Sequence, residues 1–187
     1  MKMHLKLHNL TALLLLLLAT ACAPAASTVQ PASATQAPTS FTDPFEYCAA
    51  VGTIDKPDSR YTGEAVTDDI IEGYKQSAKL DASTMPSEQW KKATIWRCMG
   101  ARVYACNFGA NLPCDSKAET DKTPTQAVTD FCKNEPDAEF IPMAVTGHAT
   151  VYNWRCTKRE PAIVEQVVQP DAQGYLSNIW YPVFPSK

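Results

Sequence analysis

Histidine is scarce in this chain of 187 residues: there are three, and two of them, His4 and His8, lie among the first ten positions. If those leave with a processed leader, only His148 remains, and a Ser-His-Asp or Cys-His site has to use it. No nucleophile-elbow sequence accompanies it. Gly147-His148-Ala149 stands at the mouth of an expected strand, where a histidine is an exposed or hydrogen-bonded end residue. The chain also has no Cys-x-x-Cys pair, which with one histidine excludes a zinc-type ligand set and a thioredoxin-like redox pair. No EF-hand loop appears among its acids, and its seven glycines are dispersed, so no loop cradles a phosphate. Neither a metal nor a cofactor is expected. Basic clusters are missing as well. Lys91-Lys92 and Lys158-Arg159 read as solvated turns or strand ends, and without Lys2 and Lys6 the balance is 15 Lys+Arg to 20 Asp+Glu, formally −5. That argues against nucleic acid, which calls for a clustered basic surface.

Nor is any apolar run long enough to cross a membrane. The longest, Leu10 to Ala21, has twelve residues, against about 20 for a span. Preceded by Lys2 and Lys6, it is the core of a signal peptide, residues 1–21. It ends in Leu18-Ala19-Thr20-Ala21-Cys22, which resembles the lipobox of bacterial lipoproteins, with Ala19 standing where the family prefers Leu. The resemblance covers only the first 22 residues. It implies cleavage before Cys22, a diacylglycerol on its sulfur, and a place in the cell envelope held by that lipid. In a cell with two membranes, the non-acidic Ala23 implies the periplasm-facing side of the outer membrane; otherwise the outer face of the cytoplasmic membrane is expected. The competing reading is an ordinary secretory signal cut near Ala21.

Cysteine arithmetic agrees with the lipobox. Seven cysteines are an odd number for a secreted chain. With Cys22 as lipid carrier, six remain in an oxidising compartment, enough for three disulfides. From Ala23 to Ser40 the sequence is Ala, Pro, Ser, Thr, Gln and one Val, without charge or aromatic. Such a stretch buries too little to offset its ordering entropy, so residues 22–40 read as a lipidated cysteine and a disordered tether, with an r.m.s. span of roughly 23 Å. Residues 41–187 then form a single disulfide-stapled domain.

That domain is organised around two copies of Trp-Arg-Cys, Trp96-Arg97-Cys98 and Trp154-Arg155-Cys156, each led in by Ala-Thr. In an extended chain each Trp shares a face with the Cys two positions on. Upstream of each copy lies a second cysteine after an aromatic, Tyr47-Cys48 and Phe131-Cys132, and each follows a helix-start signal. We read two degenerate helix–strand repeats. Of the 15 possible connectivities, the repeat selects Cys48–Cys98 and Cys132–Cys156, leaving Cys106–Cys114 to close its own loop.

Asp43-Pro44-Phe45-Glu46 predicts a short first helix, and Gly52 to Gly63 a loop. Val66, Ile70, Tyr74 and Ala78 predict a helix over Thr67–Lys79, weakened by Gly73. A strand is expected over Glu88–Cys98, turning at Met99-Gly100-Ala101-Arg102 into Val103–Cys106 so that Cys98 faces Val103. Thr123-Pro124-Thr125-Gln126 reads as a capping box whose helix stops before Pro136. Further strands are expected over Thr146–Cys156, Ala162–Gln169 and Tyr175–Val183. The fold class is α+β, short helices packed on antiparallel hairpins or a meander.

The Trp-Arg-Cys, glycine-turn, Val-x-x-Cys hairpin resembles that of small, uncharacterised secreted bacterial proteins, which implies no activity. The same-face geometry favours Trp96 and Trp154 as core beside their disulfides over a glycan platform. Arg97 and Arg155 are expected on a solvated strand face, with an anionic ligand as the alternative. The final strand is apolar on both faces, so Trp180 and Tyr181 are either internal or a binding surface. The favoured function is a non-enzymatic, lipid-anchored envelope protein that binds an envelope protein or glycan, or serves a structural role. The alternatives are a hydrolase of wall or surface polymer, marked by acids converging near His148, and a lysozyme-inhibitor-like protein, marked by a protruding Cys106–Cys114 loop.

Overall fold

Residues 40–80 and 86–185 are described by the computed structural model of the protein. The expected signal peptide, Cys22 and the tether before Ser40 lie outside the described residues. Helix α1 (Pro44–Val51) starts as its sequence predicts: Asp43 Oδ1 accepts from the N–H of Phe45 at 2.6 Å and of Glu46 at 3.0 Å, and Pro44 takes the first helical position. Helix α2 (Asp68–Ser77) is capped by Thr67 and buries Ile70, Ile71 and Tyr74. Helix α3 (Ser87–Lys92) follows, then strands β1 (Thr94–Met99) and β2 (Arg102–Asn107). Beyond the Cys106–Cys114 loop come helices α4 (Gln126–Asn134) and α5 (Met143–Thr146), strands β3 (Tyr152–Thr157) and β4 (Glu160–Gln166), and the short β5 (Tyr181–Val183). The architecture is mixed α+β, with antiparallel sheets ordered β1-β2-β5 and β3-β4 and three disulfides.

The disulfides are Cys48–Cys98, Cys106–Cys114 and Cys132–Cys156, the pairing the repeat selects. The two halves match further than their letters do. After the cysteine of each hairpin come two turn residues at positive φ, Gly100 (57°) and Ala101 (62°), then Lys158 (52°) and Arg159 (73°), the sign pattern of a type I′ turn. Each turn docks on the loop behind its own helix. Ala101 N–H donates to Gly52 C=O at 2.7 Å and Arg159 N–H to Pro136 C=O at 2.9 Å. One residue on, Thr53 Oγ1 and Asp137 Oδ1 accept from the N–H of Gly100 and Lys158, both at 3.0 Å. The next carbonyls, Ile54 and Ala138, accept from Cys98 N–H at 3.0 Å and Cys156 N–H at 2.8 Å. These acceptors lie at the same offsets from Cys48 and Cys132.

The β1–β2 hairpin divides two hydrophobic cores. Its register sets Trp96 against Ala105 and Cys98 against Val103, and these four residues pack with α1 and α2. The other face carries Ile95, Tyr104 and Cys106 into a second core built on Cys132, Val151, Trp154 and Cys156. Trp96 and Trp154 are thus core residues beside their disulfides.

Five boundaries differ from expectation. Residues 87–92 are helical instead of opening a strand at Glu88, because Glu, Gln and Lys are helix formers and the β-branched residues begin only at Thr94. Thr125, not Thr123, caps α4; Thr123 N–H donates to Asp121 Oδ1 at 2.8 Å within the preceding turn. The expected strand from Thr146 begins only at Tyr152, since Pro142 opens α5 and Gly147, at φ 89°, closes it. The expected strand over Tyr175–Val183 is reduced to Tyr181–Val183, the preceding residues being wound around Asp171. β4 also starts two residues earlier than expected, at Glu160, directly after the turn.

Gly73 has a packing reason. A Cβ there would stand 2.6 Å from Val183 Cγ1 and 2.9 Å from Phe184 O, so the glycine lets the C-terminal strand lie directly on α2. Gly73→Ala gains about 1 kcal/mol of helix propensity against an overpacking cost of about 1–3 kcal/mol. The clash involves backbone and should win: urea titration of the variant should show a lower midpoint at unchanged slope. A higher midpoint would mean that β5 moves aside freely.

Candidate functional site

Arg97 decides how one side of the site is built. It lies on the face of β1 turned away from Cys98 and is 0% exposed, contrary to the expected solvated position. The segment 170–180 covers it. Its guanidinium pairs with the Asp171 carboxylate, Nη1 donates to Gln173 Oε1 at 2.9 Å, and Cζ stands 4.2 Å and 4.3 Å from the ring centres of Tyr175 and Trp180. Asp171 Oδ1 also accepts from the N–H of Gln173 and Tyr175, at 2.8 and 3.1 Å. Burial pushes the Asp171 carboxyl up, but Arg97 and the two backbone donors outweigh it and hold it below the usual carboxylate value. Gln173 passes the network on, donating to Asp55 Oδ1 at 2.6 Å. Asp55 in turn pairs with Lys117, whose ammonium lies 3.7 Å from the Tyr175 ring centre.

Asp55 also lines a cleft of about 550 Å³. The loop 55–66, the start of β1 and the Cys106–Cys114 loop line it, chiefly through Pro57, Tyr61, Val66, Ile95, Trp96 and Phe108. Trp96 is fixed within the wall by its Nε1–H, which donates to Ala65 C=O at 2.6 Å, and by Tyr61, whose ring centre is 4.9 Å away. Phe108, 36% exposed, presents its ring from the disulfide loop. Four charged residues line it, Asp55, Lys56, Lys91 and Asp115, and two of them, Asp55 and Lys91, are held in ion pairs. Lys91 pairs with Glu64 at 2.9 Å and Asp68 at 3.1 Å, and these partners raise its pKa. Burial raises the Asp55 carboxyl, and Lys117 with Gln173 brings it below the ordinary value. Such a cleft can hold an apolar or uncharged ligand segment. Among the described residues no group of three or more His, Cys, Asp or Glu side chains is placed to hold a metal ion.

The candidates from sequence fall into place unevenly. Trp180 is 5% exposed and Tyr181 half-buried, so they form no exposed pair: Trp180 lies against Arg97, and the Tyr181 ring packs 5.7 Å from Tyr74. Arg155, in the matching position of the second half, is exposed. His148 is exposed in the turn after α5, outside the cleft. Cleft residues Pro57, Tyr61 and Phe108 carried no motif, and only the short Cys106–Cys114 spacing pointed toward this wall. No protein-family model, curated protein or solved structure matches the chain.

Asp171→Ala should cost about 3–5 kcal/mol by leaving the Arg97 charge buried without its counter-ion, measured by chemical unfolding at neutral pH. The depressed carboxyl holds its proton less tightly in the folded state than in the unfolded chain. Its contribution is therefore complete above the unfolded carboxylate value of about 3.9 and is lost as pH falls through the lower folded value. Stability of the natural chain should drop over that acid window, and Asp171→Ala should drop less steeply; parallel curves would refute the assignment.

Proposed function

We propose that the chain is a lipid-anchored cell-envelope protein whose folded domain binds a partner, and that the cleft beside Trp96 is the binding site. The observation that carries this reading is the chemistry of the cleft. Its walls are chiefly apolar and aromatic, and Asp55 and Lys91 of its lining, like Glu64 and Asp68 close to it, are held in ion pairs, while Lys56 and Asp115 add one charge of each sign to the lining. Groups so committed position a ligand; moving a proton would first require breaking the pair. The ligand class is an envelope protein segment or glycan with an uncharged, partly apolar surface. The disulfides support an oxidising compartment, and the lipobox-like Leu18–Cys22 stretch supports a lipid anchor.

Two measurements test the two parts. Cys22→Ser should leave the chain at the mass of its unprocessed form, whereas the natural chain should carry acyl groups on an amino-terminal Cys22; a mature terminus without them removes the anchor. Phe108→Ala should lower retention of the protein on envelope extract about tenfold, the scale of losing one well-buried aromatic contact, with its thermal midpoint unchanged. Unaltered retention would remove the cleft as the site.

A further inference from the structure

The second hairpin leaves one face bare among the described residues, and the first shows what such a face demands. Arg155 stands where Arg97 stands, between the Trp and the Cys of its strand and on the face away from both. Across the hairpin it meets Ala162. On the other side of β3 the chain leaving α4 runs alongside: Cys156 N–H donates to Ala138 C=O at 2.8 Å, and Ile141 N–H to Trp154 C=O at 2.9 Å. Two residues, Glu139 and Phe140, thus stand opposite the single Arg155, as in a β-bulge. Ala138 and Ile141 pack into the second core, whereas Glu139 and Phe140 are exposed. On β4, alternation from Ala162 puts Val164, the residue left unpaired where the register shifts, on the same outer face. Phe140 and Val164 are 56% and 53% exposed, so the cation stands between two uncovered apolar groups.

The charges on this face are uncommitted. Among the described residues, neither the Arg155 guanidinium nor the Glu139 carboxylate has an ion pair or hydrogen bond. Glu165, also on this face, accepts only from Asn153 Nδ2, at 3.2 Å. At the matching position Arg97 is shut in by segment 170–180, which brings the Asp171 carboxylate and the Tyr175 and Trp180 rings. A cover of that acidic kind does not suit the second face, since Glu139 and Glu165 would repel it. What fits must bring a carboxylate to Arg155 and a cation to Glu139. This face itself carries both. With a twofold axis running between β3 and the segment beside it, Arg155 of each copy lies over Glu139 of the other, and the pair forms twice.

We propose that the outer face of the β3–β4 hairpin is an interface between two copies of this chain, closed by reciprocal Arg155–Glu139 ion pairs, with Phe140 and Val164 taken from water around them. The face, two strands and the segment beside them wide and six residues long, measures about 14 Å by 20 Å. That is the size of a transient contact rather than of an obligate dimer. None of these residues lines the cleft beside Trp96, so the interface is separate from the binding site proposed above.

Sedimentation equilibrium of the purified full-length protein tests this. The natural chain should dimerise reversibly with a Kd of about 10–100 μM, weaker than interfaces of standard size give. Arg155→Glu or Glu139→Arg alone should weaken the dimer about tenfold or more, because symmetry sets like charges together twice. An equimolar mixture of the two variants should regain the natural affinity, each supplying the charge the other lacks. Both side chains are exposed, so each variant should keep the natural thermal midpoint. A natural chain that stays monomeric at about ten times that Kd overturns the proposal. So does a dimer that both variants form as readily as the natural chain, which is what association through a lipid anchor gives, or a mixture that regains nothing. If the natural chain stays monomeric while Arg155→Glu lowers retention on envelope extract, a different protein takes this face and the second copy fails. The effect of Phe108→Ala on retention bears on the cleft alone.

Discussion

A guanidinium shut away from solvent must find its counter-charge and its hydrogen-bond acceptors inside the fold. Arg97 finds partners for its two terminal nitrogens in one segment, its Nε–H being left without an acceptor, and most of what is irregular in the second core follows. Asp171 supplies the carboxylate and, through its other oxygen, winds the backbone so that Gln173 and Tyr175 come within reach. Tyr175 and Trp180 then close over the cation as π surfaces. A straight strand over these residues would turn alternate side chains away from Arg97, so the strand is confined to Tyr181–Val183. The same network reaches Asp55 and Lys117, fixing the loop that forms one lip of the cleft. The buried ion pair is thus connected to the geometry of the cleft through hydrogen bonds.

The repeat explains why the molecule has two cores. Each half is a helix whose cysteine clamps a hairpin, and the loop behind the helix receives the hairpin turn through matching bonds from Gly52, Thr53 and Ile54 or from Pro136, Asp137 and Ala138. A unit of this size buries little by itself. The first hairpin is covered on both faces, by α1 and α2 on one side and by the second core with segment 170–180 on the other. The second hairpin has only its inner face covered, which is why Arg155 remains exposed where Arg97 is not. On chain-entropy reasoning the Cys48–Cys98 and Cys132–Cys156 links contribute about 3–4 kcal/mol each, a large share of the stability of a small domain.

What the sequence made legible follows from where its constraints were local or duplicated. The Asp43-Pro44 cap, the Ile70–Tyr74 stripe and the Gly100-Ala101 turn act within a few residues, and each is found in place. Disulfide pairing is long-range, but duplication of the aromatic-Cys and Trp-Arg-Cys signatures made it readable. Failures came where a distant partner overrode local pattern. An Arg between Trp and Cys reads as solvent-facing until a later segment covers it, and nothing near residue 97 announces Asp171. Tyr175–Val183 alternates like a strand, yet its backbone follows the Asx turn at Asp171. The cleft was less legible still, since Pro57, Tyr61 and Phe108 come from loops set by the Cys48–Cys98 and Cys106–Cys114 links rather than by any motif.

The two halves differ most in the space beside their tryptophans. Repeated units that only supported each other would close their matching surfaces alike. In the second half Ile141 N–H donates to Trp154 C=O at 2.9 Å, Glu119 bridges Thr150, and the space near Trp154 is small, about 80 Å³, and edged by acids and threonines. In the first half Thr94 and Trp96 line a cleft of about 550 Å³ with chiefly apolar walls. Its width comes from features with no counterpart in the second half, the loop between α1 and α2 and the disulfide loop that presents Phe108. Both additions also feed the cores, the first through Ile54, Tyr61 and Val66 and the second through Leu112 and Cys114, while Pro57 and Phe108 belong to neither core. They build a concave, largely apolar surface along the outer strand of the first sheet.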